Sequence, residues 1–342
     1  MMTVPCPLCG SLAREPLVDT RDLLMDDATI FHYVRCSSCG LCYLNPQPTA
    51  QELEAHYPPA YAPFAEVSAS ANRLHQRLVN HGIRKRIRAI ERCRPSGRLL
   101  EVGCADGFML AALRQTGRWE VMGIDTSSVA VARAREMYDL EIIQAPVEQA
   151  QLPRGHFDVV AMWDVIEHLP DPVAALNAIQ VALRPGGLLI LRLPVSDAWD
   201  ARLFGEAWAG WDAPRHLVVY SMAHLQQVLC HAGLELRASR GNASLYSGLK
   251  PSLGRWARLS LHGRSRAVAE ALLGSSMLQA MVAPLSWLTS RLWPTSCRLA
   301  VAVKPQAKPG DCSDVAACPQ ASASCGTGFT GSWSAKKRQR PA

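Results

Sequence analysis

From residue 97 onward, short apolar runs alternate with amphipathic stretches. The runs near 98–103, 120–125, 141–143, 157–162 and 187–193 are rich in Leu, Val and Ile, and they predict strands buried on both faces. Between them, 107–116, 127–137 and 171–183 carry helical periodicity. Two further strands are expected at 234–239 and 298–303. The alternation predicts an α/β fold: a doubly wound, mostly parallel seven-stranded sheet with helices on both faces. Ahead of it, 67–94 reads as an amphipathic helix with Leu74, Leu78, Ile83, Ile87 and Ile90 near one face, closed by Pro95, Ser96 and Gly97.

The ends and one insertion depart from this pattern. Residues 1–60 are rich in Cys and Pro and form a small separate module. Residues 250–295 make a helical insertion before the last strand of the α/β domain drawn at 95–304. Within it 271–290 carries no charge, but its Gly, Ser, Gln and Pro make it a poor bilayer span, so a buried or interfacial helical pair is expected. Residues 305–342 turn to Ser, Ala, Gly, Cys and Lys and are expected to be disordered.

Chemistry concentrates in two places. Arg98-Leu99-Leu100-Glu101-Val102-Gly103-Cys104-Ala105-Asp106-Gly107 passes from strand to helix through a turn of small residues, where backbone N–H groups can approach a ligand. Asp125 ends the next strand, where a carboxylate can accept both hydrogen bonds of a ribose diol. The spacing differs from the G-x-G-x-x-G of dinucleotide sites, and Asp106 would repel a pyrophosphate. It suits a ligand that carries positive charge.

The second place is the N-terminal module. Cys6-Pro7-Leu8-Cys9-Gly10 and Cys36-Ser37-Ser38-Cys39-Gly40 are two C-x-x-C knuckles, each followed by Gly, as in a zinc ribbon. Two such knuckles complete a tetrahedral, closed site of four cysteines, so a structural zinc is expected on Cys6, Cys9, Cys36 and Cys39, with Cys42 the alternative to Cys39. A redox dithiol needs only one reactive pair.

The glycine turn, Asp125, Phe157-Asp158-Val159-Val160, Trp163 to Leu169 and Leu183-Arg184-Pro185-Gly186-Gly187-Leu188 together resemble the class I S-adenosylmethionine-dependent methyltransferases, whose sheet is Rossmann-like. The resemblance covers about 95–240. It implies that Gly103, Ala105 and Gly107 bring backbone against the methionine part of the cofactor, that Glu101 or Asp106 faces its amino group, and that Asp125 holds the ribose. Adenine is then held by the Val147 backbone, Thr126 and apolar packing, and Trp163 closes the site. The segment Trp208-Ala209-Gly210-Trp211-Asp212-Ala213-Pro214-Arg215-His216-Leu217 resembles a bacterial subgroup with an N-terminal four-cysteine module, often associated with cell-surface glycans. On that likeness Arg215 holds an acceptor carboxylate or phosphate, His216 or His168 accepts the acceptor's proton, and the tryptophans either stack on sugar or simply pack.

Charge narrows the classes further. Of the net +7, the stretch 73–94 holds +7 and 304–342 holds +4, leaving about −4 for the remainder, unlike a protein that is basic throughout. The absence of a leader-like start predicts a cytoplasmic protein with reduced thiols. The leading reading is methyl transfer to a small-molecule or lipid-linked acceptor, most plausibly a glycan hydroxyl. The alternatives are a ribosomal-RNA base methyltransferase using its zinc ribbon, and a noncatalytic scaffold. Arg84, Lys85, Arg86 and Arg88, with the apolar insertion, offer a peripheral membrane contact.

Overall fold

The structure is a computed structural model that describes residues 1–25, 27–57, 73–242, 245–275, 278, 281–282 and 295–306, with backbone alone at 73–79 and 245–247. The expected tail beyond 306, the start of the basic helix at 67–72, and Met277, Leu285, Trp287, Leu288, Leu292 and Trp293 of the insertion lie outside the described residues.

Seven strands form the main sheet: β4 (Gly97–Val102), β5 (Trp119–Asp125), β6 (Ile142–Gln144), β7 (Phe157–Trp163), β8 (Leu183–Pro194), β10 (Glu235–Gly241) and β11 (Cys297–Val303). Their order is β10-β11-β8-β7-β4-β5-β6. The pairs β4–β5, β4–β7, β5–β6 and β7–β8 are parallel, while β11 runs antiparallel to β8 and to β10. Every residue of β7 is buried, as a central strand covered on both faces requires. Winding reverses between β4 and β7, and ligands of such sheets sit at that switch point, beyond the carboxyl ends of the strands.

The covering helices are α2 (Arg73–Cys93), α3 (Phe108–Arg114), α4 (Ser128–Tyr138), α5 (Pro172–Ala182) and α7 (Met222–His231). Local chemistry sets their starts. Ser127 Oγ accepts from the Ala130 N–H at 3.3 Å, and Asp171 Oδ1 from the Ala174 N–H at 2.9 Å with Pro172 opening the helix. Ile83, Ile87 and Ile90 of α2 pack against a core with Leu99, Val159, Ala161 and Ile190, so the predicted apolar face docks on the sheet. Arg86 turns inward too, its guanidinium 5.5 Å above the Trp163 ring, and is not arrayed with Arg84 and Arg88 for a headgroup surface.

The remaining strands β1 (Arg14–Arg21), β2 (Ile30–Cys36), β3 (Cys42–Leu44) and β9 (Val218–Val219) form a four-stranded antiparallel sheet in the order β1-β2-β3-β9. Its fourth strand comes from the catalytic region: Cys42 faces Val219 and Tyr43 faces Val218. One apolar core then runs from Tyr33, Leu41 and Leu44 through Leu217 and Tyr220 to Leu191 and Leu193. The expected seam near residue 60 is therefore bridged. A three-stranded edge left bare would expose unpaired backbone, and β9 covers it.

The insertion begins earlier than expected, with α8 (Leu245–Ser260) and α9 (Gly263–Gly274). Helix α8 packs inward: Arg255 donates to Thr20 Oγ1 at 3.0 Å, Arg258 to the Leu23 carbonyl, and the Ala209 N–H to Ser252 Oγ at 3.0 Å. No helix among the described residues is long and apolar enough to cross a membrane. The short helices α1 (Ala50–Glu54) and α6 (Trp199–Phe204) complete the elements named here.

Candidate functional site

The turn after β4 takes left-handed backbone at alternate positions, with φ of 72° at Gly103, 48° at Ala105 and 73° at Gly107. Such alternation curls N–H groups toward one concavity. A Cβ at Gly103 would meet Val165 Cγ2 at 2.6 Å and one at Gly107 would meet Leu140 Cδ1 at 2.5 Å, so both positions require glycine for space as well as for φ. Ala105 has no such freedom. Its strain, with that of Asp164 at φ 56°, is gathered at the carboxyl edge of the sheet.

Acidic groups surround this turn. The Ala105 N–H donates to Asp125 Oδ2 at 2.8 Å and the Ser127 N–H to Oδ1 at 2.9 Å, which locks the carboxylate while leaving lone pairs on each oxygen. Asp106 Oδ1 accepts from the Phe108 N–H at 3.3 Å, in the first turn of α3. Glu101 is 3% exposed, and its Oε2 has no partner among the described residues. Burial pushes its pKa up to about 8; Arg86 opposes that rise, while Asp125 and Asp106 add to it. An orphaned carboxyl oxygen beside two further carboxylates is what a cationic ligand would satisfy, and Asp125 is placed for a diol. Val147 is buried, Thr126 is exposed next to Asp125, and Trp163 is buried with its indole N–H unpartnered among the described residues. All the predicted cofactor residues thus lie at or beside the carboxyl ends of β4 to β7.

A second cluster closes the end of β7. His168 and His216 lie edge to face with ring centroids 4.9 Å apart. His168 Nδ1 is 2.9 Å from the Arg215 carbonyl, and His216 Nδ1 is 3.0 Å from the Gly210 carbonyl. A carbonyl only accepts, so each Nδ1 carries the proton and each Nε2 keeps its lone pair. Burial lowers both pKa values, to about 3 for His168 with its neighbour His216 adding to the effect; at His216, Asp212 works against burial. Both rings are therefore neutral near pH 7. Glu167 sits beside them, buried, with neither oxygen partnered among the described residues. One ligand-type atom from each of Glu167, His168 and His216 lies within 4.8 Å of the others, a set able to accept a proton or hold a cation.

Arg215 does not do what its motif suggested. It is fully buried, and its five N–H groups are all spent: Nε and Nη2 on Asp212 at 2.8 Å each, Nη1 and Nη2 on Asp22 at 2.8 and 2.9 Å, and Nη1 also on the His56 carbonyl at 3.1 Å. An arginine with both forks occupied cannot grip an acceptor. Trp208 and Trp211 are likewise buried packing residues, donating to Ser296 Oγ and the Gly205 carbonyl, and are not sugar platforms. No sequence motif marks Asp22, His56 or Tyr57, whose hydroxyl is 3.3 Å from His168 Nδ1, because their partners are far away along the chain.

The cysteine module converges as its spacing predicts. The sulfurs of Cys6 and Cys39 are 3.5 Å apart, as are those of Cys9 and Cys36, and all four lie within 4.8 Å. A tetrahedral zinc with sulfur at about 2.3 Å sets sulfurs about 3.8 Å apart, so the donor set fits. The Gly10 N–H returns to the Cys6 carbonyl at 2.8 Å and the Gly40 N–H to Cys36 at 2.9 Å, which makes both knuckles alike. Cys42 stays on β3, outside the quartet.

Comparison with known proteins places this geometry. Residues 73–239 match the family model described as a methyltransferase domain. The ubiquinone biosynthesis O-methyltransferase of Acinetobacter baumannii is 34% identical over 97 residues, covering 26% of this chain and 40% of that protein. The corresponding protein of Xanthomonas campestris pv. campestris is 35% identical over 104 residues, covering 28% and 43%. The chain therefore spans about two fifths of the length of these relatives. Among solved structures, the cyclase SpnF is similar at 18% identity and a TM-score of 0.48, over 76% of this chain and 98% of that one.

Proposed function

We propose, from the match of residues 73–239 to a methyltransferase domain and from the geometry above, that the protein is a class I S-adenosylmethionine-dependent methyltransferase that transfers the methyl group to a hydroxyl of a small-molecule acceptor. The observation that carries this reading is the pairing, along one edge of the sheet, of an acidic pocket made by the orphaned Glu101 oxygen and the backbone-held Asp125 carboxylate with two neutral imidazoles that keep their Nε2 lone pairs. The cofactor supplies a methyl already activated by its sulfonium. The chain has only to orient the acceptor and take its proton. Gly103, Ala105 and Gly107 approach the methionine part, Glu101 and Asp106 compensate its positive charge, and Asp125 holds the ribose diol.

His216 is the more basic of the two: Asp212 is the leading group that opposes its burial, whereas at His168 burial and the neighbouring His216 together hold the ring down to about 3. His168 orients the acceptor. The similarity to O-methyltransferases supports an oxygen acceptor. A glycan or related metabolite as acceptor is supported only by the likeness of the Trp208 to Leu217 segment to a subgroup associated with cell-surface glycans, since Trp208, Trp211 and Arg215 are themselves buried and committed to internal partners.

Labelled S-adenosylmethionine incubated with the protein and fractionated glycans, lipids and RNA tests the proposal. Label is expected in a hydroxyl-bearing small-molecule or glycan fraction, and label confined to RNA would reverse the reading. In the same assay His216→Ala is expected to lower turnover about 100-fold or more with unchanged cofactor affinity, and His168→Ala to lower it less. Equal small losses would take both imidazoles out of the proton transfer.

Asp125→Ala is expected to weaken S-adenosylmethionine binding by about ten- to a hundredfold, the loss of two charge-assisted hydrogen bonds. Calorimetry reads this without an acceptor. An unchanged affinity would remove Asp125 from the cofactor site.

A further inference from the structure

The N-terminal region that carries the cysteines reaches the acceptor side of the site through Asp22, beside direct contacts from Tyr33 and from Tyr57, whose hydroxyl is 3.3 Å from His168 Nδ1. Asp22 follows β1, is fully buried, and accepts both Nη1 and Nη2 of Arg215 at 2.8 and 2.9 Å. It is itself shaped for this: its Oδ1 also accepts the Leu24 and Met25 N–H groups at 2.9 and 3.2 Å, and its Oδ2 meets His56 Nδ1 at 2.8 Å. Arg215 cannot rotate away, because Asp212 holds the other edge of the same guanidinium. The carbonyl of that residue is the acceptor for His168 Nδ1. Two more bonds tie the same stretch to the module and to the turn bearing His168: Tyr33 Oη donates to the His216 carbonyl at 2.8 Å, and the Leu217 N–H donates to the Glu167 carbonyl at 2.8 Å.

A neutral imidazole has two tautomers of similar energy, and the hydrogen bond made by one nitrogen decides which is present. We propose that Asp22 is a positioning residue of the acceptor site: by holding Arg215 it fixes the carbonyl that accepts the hydrogen bond from the His168 Nδ1–H, and so keeps the proton on Nδ1 and the Nε2 lone pair available to the acceptor. The four-cysteine module thereby becomes part of the catalytic apparatus without touching substrate. This deepens the reading of His168 as an acceptor-side group, and its main test needs no methyl transfer.

In protein labelled with nitrogen-15 in the imidazoles, long-range proton–nitrogen spectra report the tautomer of His168, with His168→Gln as the assignment control. The unsubstituted protein is expected to show Nδ1 protonated and Nε2 bare. In Asp22→Asn, which keeps the shape but not the charge, the two nitrogen shifts are expected to move toward each other as the tautomers mix, with zinc content and S-adenosylmethionine affinity retained. Arg215→Lys, which lacks the double fork, is read in the same way and serves if Asp22→Asn loses its zinc. An Nε2-protonated His168 in the unsubstituted protein overturns the proposal, as does an unchanged His168 spectrum in a variant that keeps its zinc and its cofactor affinity.

Turnover supplies the second readout. Asp22→Asn is expected to lower kcat about tenfold with KM for S-adenosylmethionine within about twofold, and to add nothing in a His168→Ala background. Equal losses in both backgrounds would assign Asp22 a purely structural role.

Discussion

Cys36→Ser is expected to release the structural zinc that we propose the four cysteines hold, and to loosen far more than the first 57 residues. Metal binding at a closed site of four thiolates contributes about 10–16 kcal/mol, more than a small ribbon can replace by burial. What the module holds goes with it. Strand β9 loses its partner β3, the Cys39 carbonyl no longer meets His224 Nε2 at 3.0 Å, and Asp22 no longer anchors Arg215. Hydrogen exchange should accelerate at 210–224 as well as within 1–57, while α3, α4 and the turn at Gly103 stay protected. Metal analysis gives the zinc content of the same sample. Acceleration confined to 1–57 would show that the two parts are energetically separate despite their shared sheet, and full zinc occupancy in Cys36→Ser would mean that the ligands are wrong.

Arg215→Ala is expected to destabilise the protein by about 3–5 kcal/mol, because it leaves Asp22 buried and Asp212 half-buried without their counter-charge. Burial by itself raises both carboxyl groups, but the hydrogen bonds and charge of Arg215 outweigh it, holding Asp22 below its ordinary value and Asp212 at about 2. The sign follows from these depressed values. The network contributes its full stability above the ordinary aspartate range near pH 4, and loses it as pH falls toward 2. Denaturant unfolding between pH 7 and pH 3 should show that slope in the unsubstituted protein and a flatter one in Arg215→Ala. The pair Arg215→Met with Asp22→Asn should recover part of the loss, since it removes one buried charge together with its partner. No recovery would place the cost in packing.

The two effects differ in what they leave intact. Neither touches Gly103, Asp125 or the parallel strands β4 to β7, so S-adenosylmethionine affinity should outlast acceptor turnover in both. The carboxylate that follows β1 and the arginine beside β9 are 193 residues apart, yet two hydrogen bonds join them. Their coupling is a property of the assembled sheet.

Local signals were enough for much of this protein. The apolar runs in 98–103 and 157–162 specify central strands because burial on both faces leaves no polar alternation, and Gly103 and Gly107 mark the turn because no Cβ fits there. The two C-x-x-C-Gly knuckles define a metal quartet by spacing alone, since the ligands of each pair are neighbours in the chain. Tertiary structure decided the rest, where meaning depends on a distant partner. Arg215 reads as a ligand fork until Asp22 and Asp212 fill it, and Trp208 and Trp211 read as sugar platforms until they are found buried. The separate module becomes a shared sheet only when β9 closes its edge. Side-chain identity and spacing encode what neighbours along the chain do to each other, whereas burial and pairing between residues far apart in the chain arise only from packing.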